Sequence, residues 1–277
     1  MNVRIGLHVA DGYVMGRTSA ETERLQLQAS VLAPHSAHLL RLAGITRGMR
    51  VLDVGCGAGD VSMLLAELVG PDGAVLGVDM NPAVLELARA RAGEAGLANV
   101  AYLAGDLTDL QLNEPVDALV GRLILIHLQE PAAIVQALSR QVRSGGVVSF
   151  QEFNVTRSRS VPPTPVATRS VGWIVGALRA AGLNPDLGEQ VASILRDAGL
   201  SVEGAATAGP AGSVESAMPE YLEGTLRSVL PVVLAHGQAT EAEVDIDTVA
   251  ERVAREFKEA GATFWCPELA AAWARVP

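Results

Sequence analysis

The residues best suited to chemistry stand together in one short run, Asp53-Val54-Gly55-Cys56-Gly57-Ala58-Gly59-Asp60. An apolar stretch over residues 49–54 delivers the chain to it, and a helical pattern over 61–69 follows. Glycines let a backbone turn sharply and approach a ligand closely, and such a turn at the carboxyl end of a strand is where open α/β sheets bind cofactors. Taken alone, the loop fits a bare strand–helix connection equally well. A dinucleotide site asks for G-x-G-x-x-G, with pyrophosphate on the helix N-terminus. Here the glycines fall at 55, 57 and 59, and Asp60 follows. A carboxylate there would repel pyrophosphate, so the loop points to a ligand without phosphate.

Further candidates sit where other strands should end. Asp79 lies 20 residues after Gly59, where an acid can accept both hydroxyls of a ribose. That placement also serves NAD enzymes, so it supports a nucleoside without choosing one. Met80 could pack on an adenine face or fill a gap in the core. In Gly105-Asp106-Leu107, Asp106 alone could be a helix cap; its register with Asp53 and Asp79 favours the ligand. The apolar run from Val116 to Leu128 carries Arg122 and His127. His127 can titrate near neutrality and serve as a base, or be a buried histidine bonded to a carbonyl. Glu152, in Phe150-Gln151-Glu152-Phe153, either orients a substrate hydroxyl or amine or caps a strand.

The elements positioning these residues alternate. Leu25, Val31, Leu32, Leu39 and Leu40 recur at helical spacing over 19–43, with Pro34 expected to break or kink that helix. Strands are predicted over 49–54, 74–78, 100–103, 116–120 and 147–150, with helices over 61–69, 82–95 and 134–142. Such alternation implies right-handed crossovers and a parallel sheet covered on both faces. Past a Pro/Ser-rich loop at 154–165, helices are expected over 166–180, 187–198, 218–234 and 241–260, and short strands over 201–206 and 263–265.

An Asp two residues before the first glycine resembles the first motif of the class I S-adenosylmethionine-dependent methyltransferases. Asp79, Asp106, the segment with Arg122, and Arg143-Ser144-Gly145-Gly146-Val147-Val148 resemble that family's later motifs, in order, over residues 35–153. Residues 12–18 and 23–28 are also similar to the ubiquinone- and menaquinone-biosynthesis type. The resemblance implies an α/β, Rossmann-like fold with a seven-stranded, mostly parallel sheet. It divides the chain into a helical cover (1–44), a cofactor-binding core (45–153), and the rest of the sheet with helical insertions forming an acceptor lid (154–277).

The implied cofactor is S-adenosylmethionine, leaving as S-adenosylhomocysteine. Gly55, Cys56, Gly57 and Gly59 would form its loop, and Asp53 would accept its ammonium. Asp79 would hold the ribose, Met80, Asp106 and Leu107 the adenine, and Arg122 the carboxylate. Tyr13 and Gln28 would cover it, unless that helix merely turns polar residues to water. The methyl acceptor is expected to be a small, partly apolar metabolite attacking through O, N or C, with His127 as base. Glu152, Trp173 and Trp265 are the acceptor-side candidates, the tryptophans being core by default. Val120-Gly121-Arg122-Leu123 stands where nucleobase and glutamine methylators place Asn/Asp-Pro-Pro-aromatic, and no acid cluster suggests a metal. The rival readings are a cofactor-binding protein that performs no transfer and an NAD(P)-dependent oxidoreductase, which the glycine register opposes.

Composition narrows the partners. Lys plus Arg number 21 against 31 Asp plus Glu, a net charge of −10, which disfavours phosphate backbones and anionic membranes. Cys56 and Cys266 are isolated, so neither a disulfide framework nor a zinc site is expected. No signal peptide or membrane-spanning stretch is read, which leads to the expectation of a cytoplasmic enzyme whose N-terminal cover could double as a homodimer contact.

Overall fold

The computed structural model describes residues 19–277. Helix α1 (Ser19–Leu42) leads to β1 (Arg50–Val54), α2 (Asp60–Val69), β2 (Ala74–Asp79), α3 (Pro82–Glu94), β3 (Val100–Ala104), β4 (Val116–Arg122), α4 (Pro131–Ser139) and β5 (Val142–Asn154). There follow β6 (Arg159–Val161), α5 (Pro165–Ala180), α6 (Val191–Asp197), β7 (Ser201–Ala208) and β8 (Ala211–Gly212). The chain continues with α7 (Met218–Ala235), α8 (Glu241–Val244), α9 (Val249–Ala260), β9 (Thr263–Trp265) and β10 (Glu268–Arg275).

Seven strands form one sheet in the order β3-β2-β1-β4-β5-β10-β7. The first five run parallel, and β10 lies antiparallel between β5 and β7. The fold is therefore the expected Rossmann-like one. Strands β1 and β4 are neighbours whose crossovers leave in opposite directions, which opens a crevice at their carboxyl ends. Apolar residues fill both sides: Leu52, Leu119, Val148 and Phe150 in one layer, Val51, Val75, Ala118 and Val120 in the other. A separate cluster joins α5, α7 and α9 through Ile174, Leu226, Val229 and Phe257.

Several elements differ from expectation for physical reasons. Helix α1 continues through Pro34. A proline inside a helix costs roughly 3 kcal/mol, but Leu32, Leu39 and Leu40 are fully buried around it, and each contributes about 1.5–3 kcal/mol. The helix expected over 241–260 is interrupted where Asp245 takes φ of 44°. The strand at 263–265 exists, but as the centre of a small second sheet, β6-β9-β8. The strand completing the main sheet is β10, Glu268-Leu269-Ala270-Ala271-Ala272-Trp273-Ala274-Arg275. Its alanines have low strand propensity; in place they are buried between two neighbours, with Ala272 opposite Phe150 and Ala205. Strand β5 begins at Val142, so α4 stops three residues earlier than expected, at Ser139.

Among the described residues no helix is long and apolar enough to cross a membrane, and no group of three or more His, Cys, Asp or Glu is placed to hold a metal.

Candidate active site

The glycine loop is strapped to its neighbour strand: Gly55 and Cys56 N–H both donate to the Val78 carbonyl, at 2.8 and 3.1 Å. Two of its glycines are required by sterics. Gly55 has φ of 66°, and a Cβ there would meet the Ile124 side chain at 2.5 Å. Gly59 has φ of 85° at the start of α2, and its Cβ would strike the Tyr102 hydroxyl. At Gly57 a Cβ would meet nothing within 4 Å, so this turn presents an open cradle toward the cavity.

That cavity lies beyond the carboxyl ends of β1, β4 and β5. Asp53, Gly55, Cys56 and Gly57 form its floor, Arg122, His127 and Glu152 one wall, and Arg24, Gln28, Ile174, Leu178, Tyr221 and Val229 its helical roof. The structure thus brings together Gln28, Asp53, the loop, Arg122, His127 and Glu152. Asp79, Met80 and Asp106 lie along the same strand-end edge, at β2 and β3, outside this enclosed part. Asp79 accepts from Gly57 N–H and Asn81 N–H, both at 2.9 Å. Asp106 accepts from the Thr108 N–H and hydroxyl at 2.9 and 2.8 Å. Met80 is 55% exposed beside Asp79.

Three expected placements differ. The Leu107 side chain turns into the core, packing with Leu110 and Val116, so only its backbone is left for a ligand. Trp173 packs in the α5–α7–α9 cluster, and Trp265 lies 46% exposed on β9 with the Arg159 guanidinium over its ring. Neither lines the cavity, because β9 belongs to the second sheet and Trp173 leaves the α5 face that carries Ile174 and Leu178. Tyr13 lies outside the described residues.

Electrostatics set the cavity's character. Asp53 is 1% exposed and takes a 2.5 Å hydrogen bond from the Ser62 hydroxyl. Burial raises its carboxyl to about 7, opposed by Ser62 and the nearby Arg122 guanidinium. Burial lowers Arg122, countered by Asp60, Asp53 and Tyr221, and holds His127 below the usual histidine range. Burial also raises Glu152 to about 8, although the backbone amides of Leu125, Ile124 and Ile126 favour its carboxylate. Asp60, expected to repel a pyrophosphate, is ion-paired with Arg91 at 2.6 Å, which weakens that argument against a dinucleotide. The Arg122 guanidinium lies near the buried Asp53 carboxyl, and Arg24, bonded to Gln28, lines the same cavity. Charges of both signs thus line one cavity whose other walls are apolar.

Sequence reasoning missed four participants. Arg24 donates to the Gln28 side chain at 2.6 Å one helical turn away, a spacing legible in the sequence. Ser62, nine residues from Asp53 on α2, is likewise local. Tyr221 and Thr225, on α7, reach the cavity only through tertiary packing.

Comparisons with known proteins bear on the domain and its fold. Residues 45–180 match the family profile described as a methyltransferase domain. The ubiquinone biosynthesis O-methyltransferase of Paracidovorax citrulli is 36% identical over 128 residues, covering 43% of this chain and 52% of that protein. The chain thus aligns with about half the length of the curated relatives it matches. Among solved structures, a SAM-dependent methyltransferase from Aquifex aeolicus has a TM-score of 0.51 at 23% identity, covering 68% of this chain and 92% of that one. Coclaurine N-methyltransferase, solved with N-methylheliamine and SAH, has a TM-score of 0.54 at 18% identity, covering 87% and 72%. At these identities the structural likeness establishes the fold alone.

Proposed function

We propose, from the match of residues 45–180 to a methyltransferase domain and the Rossmann-like sheet, that the chain transfers the methyl group of S-adenosylmethionine to a small, partly apolar acceptor. One observation carries the proposal: a single cavity joins charges that match a zwitterion (Arg122, Arg24, Asp53) to an apolar chamber into which His127 and Glu152 also face. Bound S-adenosylmethionine would supply an electrophilic methyl. Arg122 would hold its carboxylate, Asp53 its ammonium, Asp79 its ribose, and Met80 and Asp106 its adenine, with Gln28 and Tyr13 covering it.

The chain's own contribution is alignment and exclusion of water. Methyl transfer is an in-line displacement that removes positive charge from sulfur, so it gains from a dry chamber and a pre-oriented nucleophile. Ile126, Phe153, Ile174, Leu178 and Val229 supply the dry walls. His127, kept neutral by burial, can accept a hydrogen bond from an acceptor hydroxyl and turn its lone pair toward the methyl. The curated relatives are named as O-methyltransferases, which supports an oxygen acceptor over nitrogen or carbon.

The net charge of −10 supports an acceptor other than nucleic acid and accords with a cytoplasmic protein. A homodimer through the N-terminal cover is part of the same proposal, to be read from its mass by light scattering. The primary test is calorimetric titration with S-adenosylmethionine, S-adenosylhomocysteine and NAD in turn. The two sulfur nucleosides should bind and NAD should not; NAD binding alone would overturn the reading.

A further inference from the structure

We infer that Glu152 takes the acceptor's proton, acting as the charge partner of the cofactor's sulfonium, and hence that the acceptor attacks through a hydroxyl or an amine N–H. This rests on the methyltransferase reading above.

The geometry begins in the sheet. Arg122 at the end of β4 pairs with Gln151 of β5. Gln151 accepts the Ser36 hydroxyl of α1 at 2.6 Å on one face, so the next residue, Glu152, turns to the other. There its Oε1 accepts the Leu125 N–H at 2.7 Å, at the start of the 3-10 turn (Leu125–His127) that carries His127. Glu152 is 1% exposed and faces the cavity, yet among the described residues no cation pairs with it. Every other acid in the site is provided for: Asp53 by Ser62 and the nearby Arg122, Asp60 by Arg91, Asp79 by two backbone amides.

A buried carboxylate without a counter-ion is costly, and without cofactor Glu152 is held as the neutral acid by that burial. A cavity that periodically receives a cation removes the difficulty. With a sulfonium in the chamber the carboxylate becomes the stable form. In the transfer an acceptor lone pair forms the bond to the methyl carbon, and the carbon–sulfur pair stays on sulfur. Sulfur thereby becomes a neutral thioether, and the acceptor's proton passes to Glu152. Carboxylate plus sulfonium becomes carboxylic acid plus thioether, so the buried chamber is neutral before and after. His127 would instead end as an imidazolium, which its burial opposes. An attacking carbon with no acidic proton to give up would leave Glu152 without a task.

The test needs no acceptor. S-adenosylmethionine and S-adenosylhomocysteine share every group except the methyl and its charge. The other ionisable groups facing the cavity (Asp53, Cys56, Asp60, Arg122, Arg24, Tyr221, His127) meet the same adenosine, ammonium and carboxylate in both. Calorimetry at pH 7 in phosphate and in Tris counts the protons exchanged. The sulfonium should release about 0.9 proton per site more than the thioether, from a group near 8 that becomes ionised. In Glu152→Gln, which keeps an oxygen for the Leu125 N–H, that excess should vanish. Infrared difference spectra of the wild-type protein should show a carboxylic C=O band lost with S-adenosylmethionine and kept with S-adenosylhomocysteine. Equal proton counts in the wild type, or an excess that survives in Glu152→Gln, would overturn the inference. Binding of neither nucleoside is a distinct result: it removes the cofactor reading and the inference with it.

Discussion

Asparagine at position 53 should make the ligand-free protein more stable and its cofactor site far weaker. The Asp53 carboxyl ordinarily titrates at 3.8, and burial raises it to about 7. Between those values the folded chain keeps a proton that the unfolded chain has released, so stability falls as pH rises through this window. About three units at 1.36 kcal/mol each give roughly 4 kcal/mol of lost stability above pH 7. Relaxation and water entry reduce that figure, leaving about 2 kcal/mol as the expected gain for Asp53→Asn at pH 8 and under half of it at pH 5. The amide keeps an oxygen for the Ser62 hydroxyl. Thermal unfolding should show Tm raised by about 5 °C at pH 8 and by about 2 °C at pH 5. Calorimetry should show S-adenosylmethionine binding weakened roughly tenfold to a hundredfold, the worth of a charge-assisted hydrogen bond. A Tm gain independent of pH, a loss at pH 8, or unchanged affinity would refute the reasoning.

Other expectations follow from single contacts. Asp79→Ala removes the acceptor for Gly57 N–H and Asn81 N–H along with the proposed ribose partner; S-adenosylhomocysteine affinity should fall about a hundredfold, and unchanged affinity on folded protein would sink the assignment. His127→Ala should lower methyl transfer at least about tenfold while cofactor affinity holds; a matching loss of affinity would make it a binding residue instead. Gly55→Ala forces a side chain into left-handed backbone against Ile124. It should cost about 1–3 kcal/mol and abolish cofactor binding, whereas a variant of wild-type Tm and affinity would show that the loop yields freely.

The parallel half of the sheet was legible because each of its strands is a short apolar run closed by a glycine or an acid, and the strand ends carry the candidate residues. Asp53, Arg122, His127 and Glu152 could be placed near one another because strand order fixes which ends are neighbours. The second half was less readable. The alanine-rich β10 has no strand signature of its own and is a strand only because β5 and β7 supply partners on both sides. Trp173 and Trp265 look alike as aromatic candidates; which face of α5, and which of two sheets, holds each is decided by packing. Tyr221 enters the cavity from α7, and nothing in its neighbours' sequence marks it.

The position of β10 also orders events during synthesis. Strands β1 to β5 can pair as they leave the ribosome, but β5 then presents a bare edge, and β7 has nothing to pair with until β10 is made. All of α7, α8 and α9 must emerge before that gap closes. For this interval the nascent chain carries an unpaired, apolar strand edge of the kind that recruits other chains. A nascent-chain assay with arrest points before and after residue 268 should find the protease-resistant core complete only once β10 has cleared the exit tunnel. Variants that weaken β10 should then lower soluble yield more than they lower the Tm of the protein that survives.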